Sequence, residues 1–384
     1  MHRTSKALNI SDLRDMARRR LPKALFEYLE GGCEDDVALD ANRAALQRLK
    51  LTPRVLTDTS ARATRTTLFG KPLEMPFAIA PTAIAGLAWF DGEIALARAA
   101  GQAGIPFTAA TSSLTSIERL AAAATGRLWL QLYLWNQREL AYGLIDRAAA
   151  VGVDALIFTV DTPVDPNREY NRRNGFGIPI QPSFRMAADV ATHPSWLFGV
   201  LLRTILTNGV PRFENYPESF RLPITSRRIP SDLTQQDRIN WDDLSELRRR
   251  WKGTLIVKGI IAPEDAEAAV KLGADGIVVS NHGGRNFDSS PASIDALPAI
   301  VDAVGSQTTV LFDSGVRRGS DIAKALALGA RAVLVGRAPL YGAAIGGEEG
   351  ALRALEILRD ELKRVMAATG CRAIADLGRH LLRP

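Results

Sequence analysis

The sequence predicts an α/β protein whose parallel strands close into a (β/α)8 barrel. Three observations carry this. Eight short β-rich runs recur along the chain, helix-like Ala-rich segments follow most of them, and nearly every run ends in a residue able to hydrogen-bond or ionise. Strands apolar almost throughout, alternating with helices, belong to a parallel sheet covered on both faces. Eight units favour closure, and an open doubly wound sheet is the alternative that the pattern alone leaves.

The elements follow in order. Residues 1–75 are mixed and read as an N-terminal helical cap. Within them 22–30 is expected to be helical, with Pro22 in its first turn and Gly31-Gly32 ending it. The strand runs are FAIAP (77–81), PFTAAT (106–111), LWLQLY (128–133), ALIFTVD (155–161), TLIVKG (254–259), GIVVSN (276–281), TVLFDS (309–314) and AVLVG (332–336). Helix-like partners cover 92–103, 116–124, 137–150, 263–272, 292–304 and 319–328. The rhythm breaks over 174–240, which is expected to be a long, mobile insertion after strand 4, and loops of that length are usually functional. The barrel then spans about 76–345, and residues 1–384 form a single domain.

Composition bounds the function. Apolar residues make up 46% of the 384 and charged residues 23%, as in a soluble globular protein. The net charge of +6 suits an anionic ligand, nucleic acid or membrane surface, or a basic surface with no single partner. Cys33 and Cys371 lie far apart with no metal-type spacing, so no metal site and a reduced, cytoplasmic compartment are expected. The first residues lack the apolar core of a signal peptide, and no run is long enough to span a bilayer. There is no G-x-G-x-x-G opening a helix, no Walker loop and no G-x-S-x-G elbow.

In a closed parallel barrel the active site lies at the C-terminal ends of the strands. Those ends supply Pro81-Thr82, Thr111, Gln131, Tyr133, Thr159, Asp161, Lys258, Asn281-His282, Asp313 and Gly336-Arg337. DSGVRRG (313–319) leads into a helix and VGR (335–337) ends the last strand, a place where backbone N–H groups and a helix N-terminus favour phosphate; each turn taken singly also reads as an ordinary βα turn. His282, one of four histidines, follows a strand in SNHGGR, where a neutral imidazole can take a proton near pH 7. Asp161 would orient it, and Arg168 and Arg285 would grip a carboxylate bidentately.

With these residues in place the chain resembles the FMN-dependent L-2-hydroxy acid dehydrogenase and oxidase family, which includes glycolate oxidase, lactate dehydrogenase and mandelate dehydrogenase. The resemblance runs over LPKALFEYLEGG (21–32), APTA (80–83), QLY (131–133), TVDTP (159–163), VKGI (257–260), SNHGGR (280–285) and DSGVRRGSDIAKALALGARAVLVGR (313–337). SNHGGR with the downstream DSGVRRG is its specific part. The resemblance implies a TIM barrel, bound FMN, and oxidation of an L-2-hydroxy acid to a 2-oxo acid. It makes His282 the base and Asp161 its partner, with Arg168 and Arg285 on the carboxylate and Tyr28 and Tyr133 as substrate hydrogen-bonders. Lys258 lies beside the flavin pyrimidine, where its charge would stabilise the reduced anion. Gln131 and Thr159 contact the ring, Pro81, Thr82 and Ala83 form the strip beside it, and Ser280 joins the cofactor set. Asp313 meets the ribityl chain, and Arg317, Gly336 and Arg337 meet the phosphate.

The resemblance implies that electrons pass to a quinone or another acceptor, with a hydrogen peroxide-forming oxidase as the alternative; an isomerase-type FMN barrel or a silent flavin binder would lack the full set of His282, Asp161, Arg168 and Arg285. The resemblance implies a homo-oligomer, a tetramer, and no nucleic-acid partner. It also points to a peripheral place on the cytoplasmic face of the inner membrane, because membrane-bound relatives carry an insertion at 174–240. WLFGVLLRTIL (196–206) there is too short to span but suits an interface, and 182–230 carries six Arg against Asp189, Glu214 and Glu218; a lid over the barrel mouth is the other reading. Three positions depart from the family pattern. Ala110 replaces a flavin-contacting Ser. Ser112 replaces a bulky aromatic and implies a roomier pocket. Asp165-Pro166 places a carboxylate close to Arg168.

Overall fold

The computed structural model describes residues 3–177, 179–228 and 237–383, so residues 229–236 of the insertion lie outside the described residues. Eight parallel strands close into a barrel in strictly sequential order. They are β1 (Phe77–Ile79), β2 (Phe107–Ala110), β3 (Leu128–Leu132), β4 (Ala155–Thr159), β5 (Thr254–Ile260), β6 (Gly276–Val279), β7 (Thr309–Phe312) and β8 (Ala332–Val335). Each falls on one of the eight runs, and closure rules out the open sheet.

Alternation within the strands divides the core in two. Inward-facing Ala78, Trp129, Ala155, Ile157, Ile256, Val278, Leu311, Ala332 and Leu334 fill the barrel. Their neighbours, such as Phe77, Leu130, Phe158, Val257 and Phe312, face the surrounding helices. Because both faces are buried, period-2 polarity is absent, and the strands read as continuous apolar runs. Trp129 is fully buried, and truncating so large a side chain to Ala costs about 3–5 kcal/mol.

A hairpin, Thr66–Leu68 paired with Lys71–Leu73, closes the N-terminal end of the barrel. Its two-residue turn, Phe69-Gly70, has φ of +52° and +71°, which matches the right-handed twist of a tight hairpin. Phe69 meets Trp129 edge-on with ring centroids 6.2 Å apart.

The helices are α1 (Gly92–Gln102), α2 (Ile117–Ala123), α3 (Arg138–Ala150), α4 (Trp241–Arg250), α5 (Pro263–Lys271), α6 (Ser293–Val304), α7 (Gly319–Ala327) and α8 (Arg337–Ala368, kinked at Gly346-Gly347). Helix α8 was not among the expected helices, and neither was α4. The start of α4 carries a capping box: Asn240 Oδ1 accepts from the backbone N–H of Asp242 and Asp243, and Asp243 accepts from that of Asn240.

Ahead of the barrel, helices Ile10–Arg20, Lys23–Glu30 and Val37–Arg48 form the cap. The insertion contributes short helices at Phe184–Ala191 and over 194–208, the second with a π-type stretch at Leu197–Leu202. Trp196 and Val200 are buried, and the Trp196 indole N–H donates to the Leu87 carbonyl at 2.6 Å. Trp196 therefore anchors this helix to the barrel. Its opposite side exposes Phe198 (65%) and Leu206 (86%), and Phe184 is exposed nearby in sequence (91%). No helix among the described residues is long and apolar enough to cross a membrane.

Candidate active site

Strand register places the polar strand ends on one rim. Ala110 pairs with Gln131, Thr159 with Lys258, and Val279 with Phe312, so that Ser280 and Asp313 follow side by side. Above this rim lies a cavity of about 410 Å³, within the usual range for a small-molecule site. Tyr28, Pro81, Thr82, Ala83, Gln131, Tyr133, Thr159, Arg168, Lys258, His282, Arg285, Asp313, Arg317, Gly336 and Arg337 line it together. Two predicted residues stand behind the wall. Asp161 lies against His282, and Ser280, fully buried, accepts from the Lys258 ammonium at 3.0 Å and from the His282 backbone N–H at 3.0 Å.

His282 Nδ1 and Asp161 Oδ1 are 2.9 Å apart, leaving Nε2 for a substrate. Burial pulls the imidazole below its ordinary pKa, and although Asp161 raises it, Lys258 and Arg168 add to the lowering. Burial opposes ionisation of Asp161, but the His282 and Lys258 charges outweigh it and hold the carboxyl below its usual range. At neutral pH the pair is a neutral imidazole on a carboxylate. Asn286 fixes the carboxylate's loop, donating to the Asp161 carbonyl at 3.0 Å and to Thr162 Oγ1 at 2.7 Å. Tyr133 is pushed above its ordinary pKa by burial and by Asp161, so it stays a neutral phenol.

The motif SNHGGR is explained by its backbone. His282, Gly283 and Gly284 have φ of +58°, +68° and +72°, three successive left-handed residues, of which the histidine is the costly one. A Cβ on Gly284 would lie 2.3 Å from the Leu39 backbone nitrogen, so the glycine also lets the cap helix approach the rim.

Cationic groups ring the cavity. Arg285 donates to the carbonyls of Gly31 (2.7 Å) and Tyr28 (2.9 Å), and Arg337 donates to those of Leu29 (3.1 Å), Gly31 (3.2 Å) and Gly283 (3.2 Å). Both thus grip the C-terminal end of helix Lys23–Glu30, where unpaired carbonyls and the helix dipole favour cations. Arg168 and Arg285 also lie over the Tyr28 ring, at 5.9 and 5.3 Å. Among the described residues, none of Arg168, Arg285, Arg317 and Arg337 forms a salt bridge with a carboxylate. Burial and the neighbouring charges of Arg285 and Arg317 lower Arg337 to about 10. Lys258 is pushed the other way: burial opposes its charge, but Asp313, 3.3 Å away, and Asp161 more than offset this.

These residues fit FMN. Gln131 Nε2, Thr159 Oγ1 and Thr82 Oγ1 are buried with no hydrogen-bond partner among the described residues, although all three belong to cavity-lining residues. Unpaired buried polar atoms are costly, and a heteroaromatic ring edge with donors and acceptors satisfies them. The Arg317–Arg337 end suits a phosphate.

Several lining residues were not anticipated. Trp135, Phe213 and Tyr216 form an aromatic wall, with Trp135–Tyr216 and Phe213–Tyr216 centroids 5.2 and 4.9 Å apart. The Tyr216 hydroxyl lies 3.3 Å from Ser112 Oγ, so the space beside Ser112 is occupied by a ring from the insertion rather than left open. No motif marks Phe213 and Tyr216, which sit in the stretch without βα rhythm. Ser314 and Gly315 also line the cavity, within the DSGVRRG segment.

Comparison with known proteins agrees with this geometry. The family described as FMN-dependent dehydrogenase matches residues 17–384. The chain is 40% identical to (S)-mandelate dehydrogenase of Pseudomonas putida over 369 residues, covering 96% of this chain and 92% of that protein. It is 42% identical to L-lactate dehydrogenase of Chromohalobacter salexigens, covering 96% and 93%. Among solved structures, the monotopic membrane protein (S)-mandelate dehydrogenase superposes with a TM-score of 0.93 at 39% identity, covering 98% and 99%. A mandelate oxidase variant with (S)-mandelic acid superposes with a TM-score of 0.82 at 35% identity, covering 98% of each chain. The chain belongs to the FMN-dependent dehydrogenase family of 2-hydroxy acid-oxidising enzymes.

Proposed function

We propose that this chain oxidises an L-2-hydroxy acid to the 2-oxo acid with His282 as the base and passes the electrons to an acceptor at a membrane surface. One observation carries the assignment of the base: the imidazole is held by Nδ1 at 2.9 Å from the half-buried Asp161 carboxylate, beside two arginines without carboxylate partners among the described residues. Arg168 and Arg285 hold the substrate carboxylate, and a planar guanidinium makes two parallel bonds to it. Tyr28 and Tyr133 complete the polar contacts. His282 Nε2 takes the proton of the C2 hydroxyl, and Asp161 fixes the tautomer and balances the imidazolium that results. Bound FMN supplies the acceptor for the hydrogen and the two electrons that leave C2. Gln131, Thr159, Lys258 and the 81–83 strip hold its ring, Asp313 its sugar chain, and Arg317, Gly336 and Arg337 its phosphate. Ser280 acts by holding Lys258. Residues 1–384 work as one unit, with 174–240 as an insertion in the barrel.

The membrane reading rests on the exposed apolar side chains Phe184, Phe198 and Leu206 and on likeness to a monotopic membrane protein. A cytoplasmic-face location and a homotetramer are part of the same reading. The likeness to mandelate oxidase supports oxygen as the second acceptor to test.

Anaerobic addition of L-lactate or L-mandelate should bleach the flavin, and His282→Ala should abolish bleaching with FMN retained. Retained wild-type bleaching in that variant would refute the base. Hydrogen peroxide formation matching turnover would replace the membrane acceptor by oxygen. Flotation with anionic liposomes should be lost in Phe198→Ser/Leu206→Ser, and light scattering reports the assembly.

A further inference from the structure

We propose that Tyr216, delivered by the insertion, and Ser112, just beyond β2, form the wall that limits the length of the substrate's side chain; this rests on the 2-hydroxy acid reading above. A 2-hydroxy acid has four substituents on C2. The carboxylate, the hydroxyl and the transferred hydrogen are directed by the arginines, His282 and the cofactor, so the side chain takes the direction that is left. Of the lining that those groups leave, Ser112, Trp135, Phe213 and Tyr216 form one continuous patch of touching side chains, with Thr162, Asp165, Pro166 and Pro179 lining the cavity as well.

This wall is fixed. Asn215, only 1% exposed, donates to the Ala110 carbonyl at 3.1 Å and accepts from the Ile117 backbone N–H at 2.8 Å. The Glu214 N–H donates to the Ser113 carbonyl at 3.1 Å, and Arg221 Nε donates to the Tyr216 carbonyl at 2.8 Å. The segment carrying Tyr216 is therefore stapled to the end of β2 and the start of α2. The Tyr216 ring stacks on Phe213 and meets Trp135 edge-on, which holds its hydroxyl against Ser112. Burial pushes that phenol up to about 12, so the Tyr216 hydroxyl itself stays neutral. The two hydroxyls satisfy each other and demand no polar group from the substrate. A neutral side chain of bounded length is what such a wall admits.

The experiment compares kcat/KM for L-3-phenyllactate and L-lactate, from anaerobic flavin reduction by the FMN-loaded enzyme. Tyr216→Ala should raise the phenyllactate-to-lactate ratio by about tenfold or more, the scale of discrimination set by apolar pocket volume. Ser112→Leu, which thickens the same wall from the other side, should lower it by a similar factor. An unchanged ratio in Tyr216→Ala overturns the proposal, and so does an equal loss on both substrates, which marks a purely structural role. Should Tyr216→Ala fail to retain FMN, Ser112→Leu decides alone, and an unchanged ratio there overturns the wall. Absence of bleaching in the wild type with every hydroxy acid would instead overturn the activity on which the wall depends.

Discussion

Asp161→Asn should slow flavin reduction by about a hundredfold to a thousandfold while leaving FMN bound. The substitution keeps the size of the side chain and removes its charge. His282 and Asp161 have side chains 22% and 13% exposed, neither in free solvent nor deeply interior. Two unit charges about 4 Å apart at an effective dielectric of about 20 attract by about 4 kcal/mol. This attraction is absent while the imidazole is neutral and appears as it accepts the hydroxyl proton, so it lowers the barrier rather than the ground state. An asparagine dipole recovers at most about 1 kcal/mol of it, and the remainder, about 3–4 kcal/mol, is two to three powers of ten in rate. The assay is anaerobic stopped-flow at saturating substrate, following loss of flavin absorbance. KM should change less than kcat, because Arg168 and Arg285 are untouched. Reduction within about threefold of wild type would refute the view that the carboxylate's charge, and not only its hydrogen bond, acts on the base.

Three further outcomes follow from the same geometry. The folded pKa of His282 lies below its unfolded value of about 6.5, so its neutral form contributes stability that is full above that pH and is lost as pH falls through the folded pKa. Melting temperature should therefore decline from about pH 6.5 downward, and His282→Gln should decline less steeply over that window; parallel curves would contradict this. Arg337→Met should weaken FMN binding by about 10–150-fold, the loss of one or two charge-assisted bonds, measured by quenching of flavin fluorescence. Asp165→Asn should lower KM for L-malate relative to L-lactate by about two- to fivefold, since this carboxylate lines the cavity and repels a second substrate carboxylate.

The barrel was legible because burial on both faces leaves a plain record, eight apolar runs at βα spacing. The rim was legible for a related reason, since polar residues such as Lys258 and Asp313 at the ends of such runs have no structural excuse. Helix α4 escaped because it follows an insertion with no rhythm, even though Asn240 and Asp243 announce its start. Ser112 misled because a vacancy inferred from one position takes no account of a ring arriving from over 100 residues away, and Tyr216 fills it. Trp196, grouped in the sequence with an interfacial face, turned inward because its indole N–H found the Leu87 carbonyl. Ser280 shares a motif with His282 but lies beneath Lys258, a depth that spacing alone does not encode.

The carbonyl of Gly31 accepts from Arg285 and from Arg337, partners 254 and 306 residues away along the chain. Both contacts close very long loops, which is entropically slow. The two arginines proposed to hold the substrate carboxylate and the FMN phosphate thus share one clasp, which shuts only when the cap reaches the later strands of the barrel. In a refolding chain, secondary structure should return first and flavin capture afterwards. Yellow colour then reports a finished molecule, and catalytic competence marks the last step of maturation.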